Sequence, residues 1–92
     1  MAKTVKLTID ADRYYDDASG DFTLYQITAI PDREVESDFN LAFDDFQNVG
    51  SGIYIGLGYY DNSSEVKLVL ENVILRLQEF YIKAVVSSSI GT

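Results

Sequence analysis

Residues 10 to 21, Asp-Ala-Asp-Arg-Tyr-Tyr-Asp-Asp-Ala-Ser-Gly-Asp, hold five aspartates, one base and two tyrosines. Carboxylates at this density have three uses. They bind a hard cation through oxygen, they stand in for phosphates before a basic groove, or they keep a turn solvated. The cation reading is poor in either loop frame. Counted from Asp10, positions five and six are Tyr14 and Tyr15, where a calcium loop needs an oxygen ligand and a glycine. Counted from Asp17, position six is Phe22 and position twelve is Thr28. A looser hairpin-tip site of Asp16, Asp17 and Asp21 is the remaining form of it, and no metal ligand is assigned.

Catalysis has little to draw on. The chain has no cysteine and no histidine. Thiolate chemistry, a histidine base and the commonest transition-metal ligand are therefore absent. Asp16-Asp17 and Asp44-Asp45 are paired carboxylates, but sequence neighbours point in different directions and do not face one scissile bond. The glycines of "GSGIYIGLG" fit neither the dinucleotide nor the Walker spacing. Gly56 and Gly58 alternate with Tyr54 and Tyr60, which reads as rings covering glycines on one strand face. No catalytic residue and no cofactor is expected, and the chain is read as a non-enzyme.

The tyrosine pairs Tyr14-Tyr15 and Tyr59-Tyr60 put one ring on each face of a strand. Tyrosine is enriched at protein interfaces. Stacking on bases normally comes with clustered basic residues, and here Arg13 stands alone among acids. Net charge is −8, and it is regional. Residues 10 to 45 hold eleven acids against two bases, whereas residues 46 to 92 hold four against three. Direct nucleic-acid binding and anionic membranes are disfavoured, and a protein partner with a basic surface fits. Apolar runs are too short for a membrane span. The first residues lack the apolar core of a signal peptide, so the cytoplasm of a host cell or a virion is the expected location.

The elements that must position these residues come next. Ninety-two residues, 47% hydrophobic and 24% charged, make a single domain over 1–92, with 87–92 expected to fray as a tail. "TVKLTIDA" alternates, with Val5, Leu7, Ile9 and Ala11 on the dry face. "DDASGD" is a turn, and "FTLYQITAI" is a second strand stopped by Pro31. A short acidic helix is expected near 37–47, because Val35, Phe39, Ala42, Phe43 and Phe46 share a helical stripe. "NVGSG" reads as a loop and "IYIGLGYY" as a strand. In the last third, Val66, Leu70, Val73 and Leu77 follow helical spacing behind an Asn62–Glu65 capping box. The many β-branched and aromatic residues nevertheless favour the strands "KLVL", "VILRL" and "FYIKAVV". The expected fold is a mainly β antiparallel sandwich or barrel with one short helix. The alternative is α+β with a long C-terminal helix.

Function follows from what remains. The first expectation is an acidic protein-interaction module, a homo-oligomer or a subunit of a larger symmetric assembly such as a phage or virus head or tail component. The second is a nucleic-acid mimic of the anti-restriction or anti-CRISPR kind. Asp10, Asp12, Asp16, Asp17, Asp21, Asp38, Asp44 and Asp45 would then occupy a basic groove. With Tyr14, Tyr15, Tyr59 and Tyr60 they are the candidate partner-binding residues.

Overall fold

The structure is a computed structural model that describes residues 3–88. Strands β1 (Thr4–Asp16) and β2 (Gly20–Pro31) lead, by way of a 3-10 turn at Arg33–Val35, to helix α1 (Glu36–Ala42). Strands β3 (Phe46–Gly50) and β4 (Ile53–Gly56), helix α2 (Ser63–Glu79) and strand β5 (Lys83–Ser88) follow. The protein is mainly β, a small single domain built on one five-stranded sheet in the order β3-β4-β2-β1-β5. Neighbouring strands are antiparallel except β5, which runs parallel to β1. The core lies between the sheet and the helices, so it is closed by α1 and α2 where the sequence suggested a second sheet or a barrel closure.

The β1–β2 hairpin forms as its alternation predicts. Val5, Leu7 and Ile9 are buried against the helices, and Ile27 and Ala29 join them from β2. The hairpin turns at Asp17-Ala18-Ser19, where the Ser19 N–H donates to the Asp16 carbonyl (3.2 Å). Gly20 follows at φ +74°, a left-handed position that glycine takes without steric cost.

The last third corrects the sequence reading. Residues 63–79 form one helix, so "KLVL" and "VILRL" are not strands; only the end of "FYIKAVV" enters the sheet, as β5. Val66, Leu70, Val73 and Leu77 are all buried. Burying each is worth about 1.5–3 kcal/mol, whereas strand propensities differ by only about 1 kcal/mol in total range. Both ends are also capped. The Asn62 side chain accepts from the backbone N–H of Ser64 (2.8 Å) and Glu65 (3.1 Å). At the other end, Tyr81 N–H donates to Gln78 O and Ile82 N–H to Leu77 O, both at 3.0 Å, which is a Schellman closure. Tyr81 takes the left-handed position at φ +58° that glycine usually fills. The helix returns the chain across the sheet, as parallel pairing of β5 with β1 requires.

Two smaller corrections concern the middle. The expected helix over 37–47 ends at Ala42, and Phe46–Gly50 is the edge strand β3, not a helix end and loop. Phe39, Phe43, Phe46 and Tyr54 still meet as one aromatic cluster with centroids 5.0–5.6 Å apart. A bend after Phe43 satisfies the same apolar stripe from two elements. The predicted strand 53–60 is regular only to Gly56, and Tyr60 then bridges Tyr25. Of the expected tail, Ser87 and Ser88 pair in β5 with Thr8 and Ile9, and 89–92 lie outside the described residues.

Candidate protein-interaction surface

Strand parity assigns the candidate residues to faces. On β1 the odd positions Val5, Leu7 and Ile9 point to the helices, so Asp10, Asp12, Tyr14 and Asp16 point to the opposite face. Their β2 partners Gln26, Leu24, Phe22 and Gly20 lie on that face too. Asp17 sits in the turn. Arg13, Tyr15 and Asp21 are on the helix-side face of the hairpin, beyond the point where the helices cover it. Asp38, on α1, and Asp44 and Asp45, in the loop after it, belong to the helix layer. Asp10, Asp12 and Asp16 therefore sit on the side of the sheet away from Asp38, Asp44 and Asp45, and the two acidic blocks do not merge into one surface.

The first block rides on a projecting arm. Among the described residues, β5 borders β1 as far as Ile9, and the far side of β2 is bordered as far as Tyr25, by Tyr60. Among the described residues, 12–24 have no third strand. Five residues on each side of the turn extend about 17 Å past the body. The molecule measures 49 × 25 × 20 Å, and its radius of gyration, 14.0 Å, exceeds the roughly 12 Å of an average globule of this length. The arm holds four of the fifteen acidic residues of the chain, with Arg13 its one base. Tyr14 stacks on Phe22 at 5.7 Å and is 44% exposed; Tyr15, on the other face, is 70% exposed. Thr28 donates to the Asp10 carboxylate. Among the described residues no group of acids gathers to hold a metal ion, so the hairpin-tip cation site weighed from the sequence is not formed.

The second tyrosine pair divides. Tyr59 is exposed, whereas Tyr60 is half-buried against the core and its backbone closes two hydrogen bonds with Tyr25 (2.7 and 2.9 Å). The Tyr60 ring covers Gly58, where an added Cβ would meet its hydroxyl at 3.3 Å. Asp44 and Asp45 line an open cleft of about 310 Å³ with Asn72 and Arg76, and the Arg76 guanidinium lies over the Phe43 ring at 6.0 Å.

The sheet face away from the helices was missed by sequence reasoning. It carries Lys6, Thr8, Asp10 and Asp12 from β1, and Phe22, Leu24, Thr28 and Ile30 from β2. Ile53 and Ile55 of β4 and Lys83 and Val85 of β5 complete it. No described element covers it. The signal was in β2, where both alternating sets contain large apolar residues, the mark of a strand covered on both faces. No helix among the described residues is long and apolar enough to cross a membrane.

One buried polar group lies outside this surface. The Tyr54 hydroxyl donates to Glu36 Oε2 (2.8 Å) and accepts from the side-chain amides of Asn40 (3.0 Å) and Asn48 (3.4 Å), tying α1 to β3. Burial, and next the Glu36 contact, raise its pKa above the ordinary tyrosine value. A raised folded-state pKa favours the protonated phenol, so its stabilisation is complete below pH about 10 and is lost as pH rises through the folded value. Urea midpoints measured from pH 8 to 11 are expected to fall more steeply for the native chain than for Tyr54→Phe. Parallel curves would show that this phenol does not couple folding to pH.

Comparison with protein-family models, with curated proteins and with solved structures finds no match to this chain.

Proposed function

We propose that this protein is a non-enzymatic interaction module that associates with copies of itself, as a subunit of a larger symmetric assembly of the kind that builds a virus head or tail. The observation that carries the reading is the projecting hairpin arm. A two-stranded ribbon free of a core is at best marginally stable in water, and the cross-strand Tyr14–Phe22 stack offsets this by no more than about 1 kcal/mol. An arm of this length, with Tyr14, Tyr15 and Phe22 near its end, finds its apolar contacts on another chain. Exposed Leu41, Leu57, Leu68 and Leu75 on the body offer further contact surface. Absolute mass by light scattering behind a sizing column, over a hundredfold concentration range, tests it. A discrete oligomer, or a mass that climbs with concentration, is expected; a monomer throughout counts against it.

A second reading is favoured by one feature. Asp10, Asp12 and Asp16 stand along a single strand face with no base among them, about 7 Å and then about 14 Å apart with Tyr14 in the gap, a row of negative charge. Such a row fits a basic groove, and the protein would then act as a nucleic-acid mimic. This reading expects a stable monomer whose binding to a basic partner is lost in Asp10→Asn with Asp12→Asn and Asp16→Asn.

A further inference from the structure

The open sheet face is bipolar. At one end, Lys6 and Lys83 share it, because Lys83 pairs with Thr4 and so lies beside Lys6 on the same side of the sheet. At the other end stand Asp10, Asp12 and Asp16, whose only neighbouring base, Arg13, points to the opposite face. Between the ends lie the small residues Thr8, Thr28 and Ser87, level with one another across three strands, with Ile55 next in line. Ile30 and Val85 flank this row and are about two-fifths exposed (40% and 42%).

We propose that this face packs against the same face of a second copy, with the two β1 strands antiparallel about a twofold axis that crosses them near Thr8. The proposal rests on the self-assembling reading above and names its contact. The register follows from counting. Positions equally distant from Thr8 on either side superpose, so Asp10 of each chain lies over Lys6 of the other. Asp12 lies over the Thr4 level, beside which Lys83 stands. Every charge on the body of the face thus meets its opposite twice, as an isologous interface requires. Pairing matters because a carboxylate or ammonium buried without a partner costs several kcal/mol. The small central row permits the sheets to approach to about 10 Å, the usual spacing of stacked sheets.

The area is that of a small contact. Five strands about 4.8 Å apart, with five or six residues rising about 3.3 Å each, give a face of roughly 20 by 20 Å, and in this register the arm beyond Asp12 reaches past the partner's Thr4 and adds nothing to it. A projected footprint of roughly 400 Å² per chain is about half the ~800 Å² of accessible surface that each partner buries in a stable pair, so the charge pairs and not the area select this contact. The pair of open sheets then becomes one sandwich closed by helices on both outer faces.

A charge exchange tests this. One variant carries Asp10→Lys and Asp12→Lys; the other carries Lys6→Glu and Lys83→Glu. Each alone sets like charges against like, and its dimer is expected to weaken roughly a hundredfold relative to the native chain. An equimolar mixture places lysines over glutamates and native aspartates over native lysines, and is expected to restore the dimer mass. Restoration also certifies that both variants are folded. Three results overturn the proposal. If the native chain assembles and neither variant changes its mass, the assembly reading stands and this contact is wrong. If both variants are folded by circular dichroism and weakened, yet their mixture does not recover, the charges act outside this face. A native chain that is monomeric at every concentration overturns both the contact and the reading it rests on.

Discussion

Excising the hairpin arm is expected to leave a folded domain that no longer self-associates at the native strength. The cut follows from the hydrogen-bond pattern. The Tyr25 N–H and carbonyl both point to Tyr60, so Ala11–Tyr25 is a pair without hydrogen bonds to β1, and a two-residue turn must close on the next pair, Asp12–Leu24. Replacing 13–23 by Asn-Gly does this with a turn suited to the twist of the strands. The change removes Tyr14, Tyr15 and Phe22 and touches none of the buried core. Stability should change by no more than about 1 kcal/mol, because an unsupported ribbon contributes little. Self-association should weaken at least about tenfold, since aromatic anchors dominate interface energies. Melting curves and mass against concentration read the two effects separately. An unchanged assembly would place the contacts wholly on the body, and a large loss of stability would show that the arm folds the domain.

Phe39→Ala is expected to be the most damaging single change in the monomer. Phe39 is fully buried, and its ring lies 5.0 Å from Phe43, 5.3 Å from Phe46 and 5.2 Å from Tyr54. It therefore joins α1, the loop after it, β3 and β4. Truncating a buried phenylalanine to alanine costs about 3–5 kcal/mol, a large part of the 5–15 kcal/mol typical of a whole domain. For a chain of this size that corresponds to a fall in melting temperature of at least about 12 °C. Leu41→Ala, on the same helix but exposed, is the control and should shift it by under about 3 °C. Similar losses in both would mean that the α1 face is rotated from the one described.

The fates of particular residues show how far local sequence reaches. The β1–β2 hairpin was legible because alternation is a local property: Val5, Leu7 and Ile9 name their face without knowledge of what covers it. The capping box at Asn62 and the 3-4 spacing from Val66 to Leu77 were equally plain. They were outweighed by β-branched composition, a signal that burial overrides. The Phe39–Phe43–Phe46 stripe reads as one helix because helical spacing cannot reveal a bend that sends Phe46 back from a neighbouring strand. Of the tyrosine pairs, each expected to put one ring on each strand face, Tyr59–Tyr60 divides into an exposed and a half-buried ring, whereas Tyr14 and Tyr15 are both exposed because the described helices cover neither face of the arm.

By itself the sequence determined the charge and its crowding into residues 10–45, the want of thiol and imidazole chemistry, the mainly β character and the hairpin. These depend on residue type and on short-range periodicity alone. Only the tertiary structure decided that Asp10, Asp12 and Asp16 lie on the side of the sheet away from Asp38, Asp44 and Asp45, that the hairpin outruns its described neighbours to become an arm, and that Lys6 and Lys83 share a bare face with Asp10 and Asp12. Each depends on which strands pair and where the pairing stops. That is set by the burial of α2 across the sheet and the parallel entry of β5 beside β1, contacts between segments tens of residues apart that no local pattern encodes.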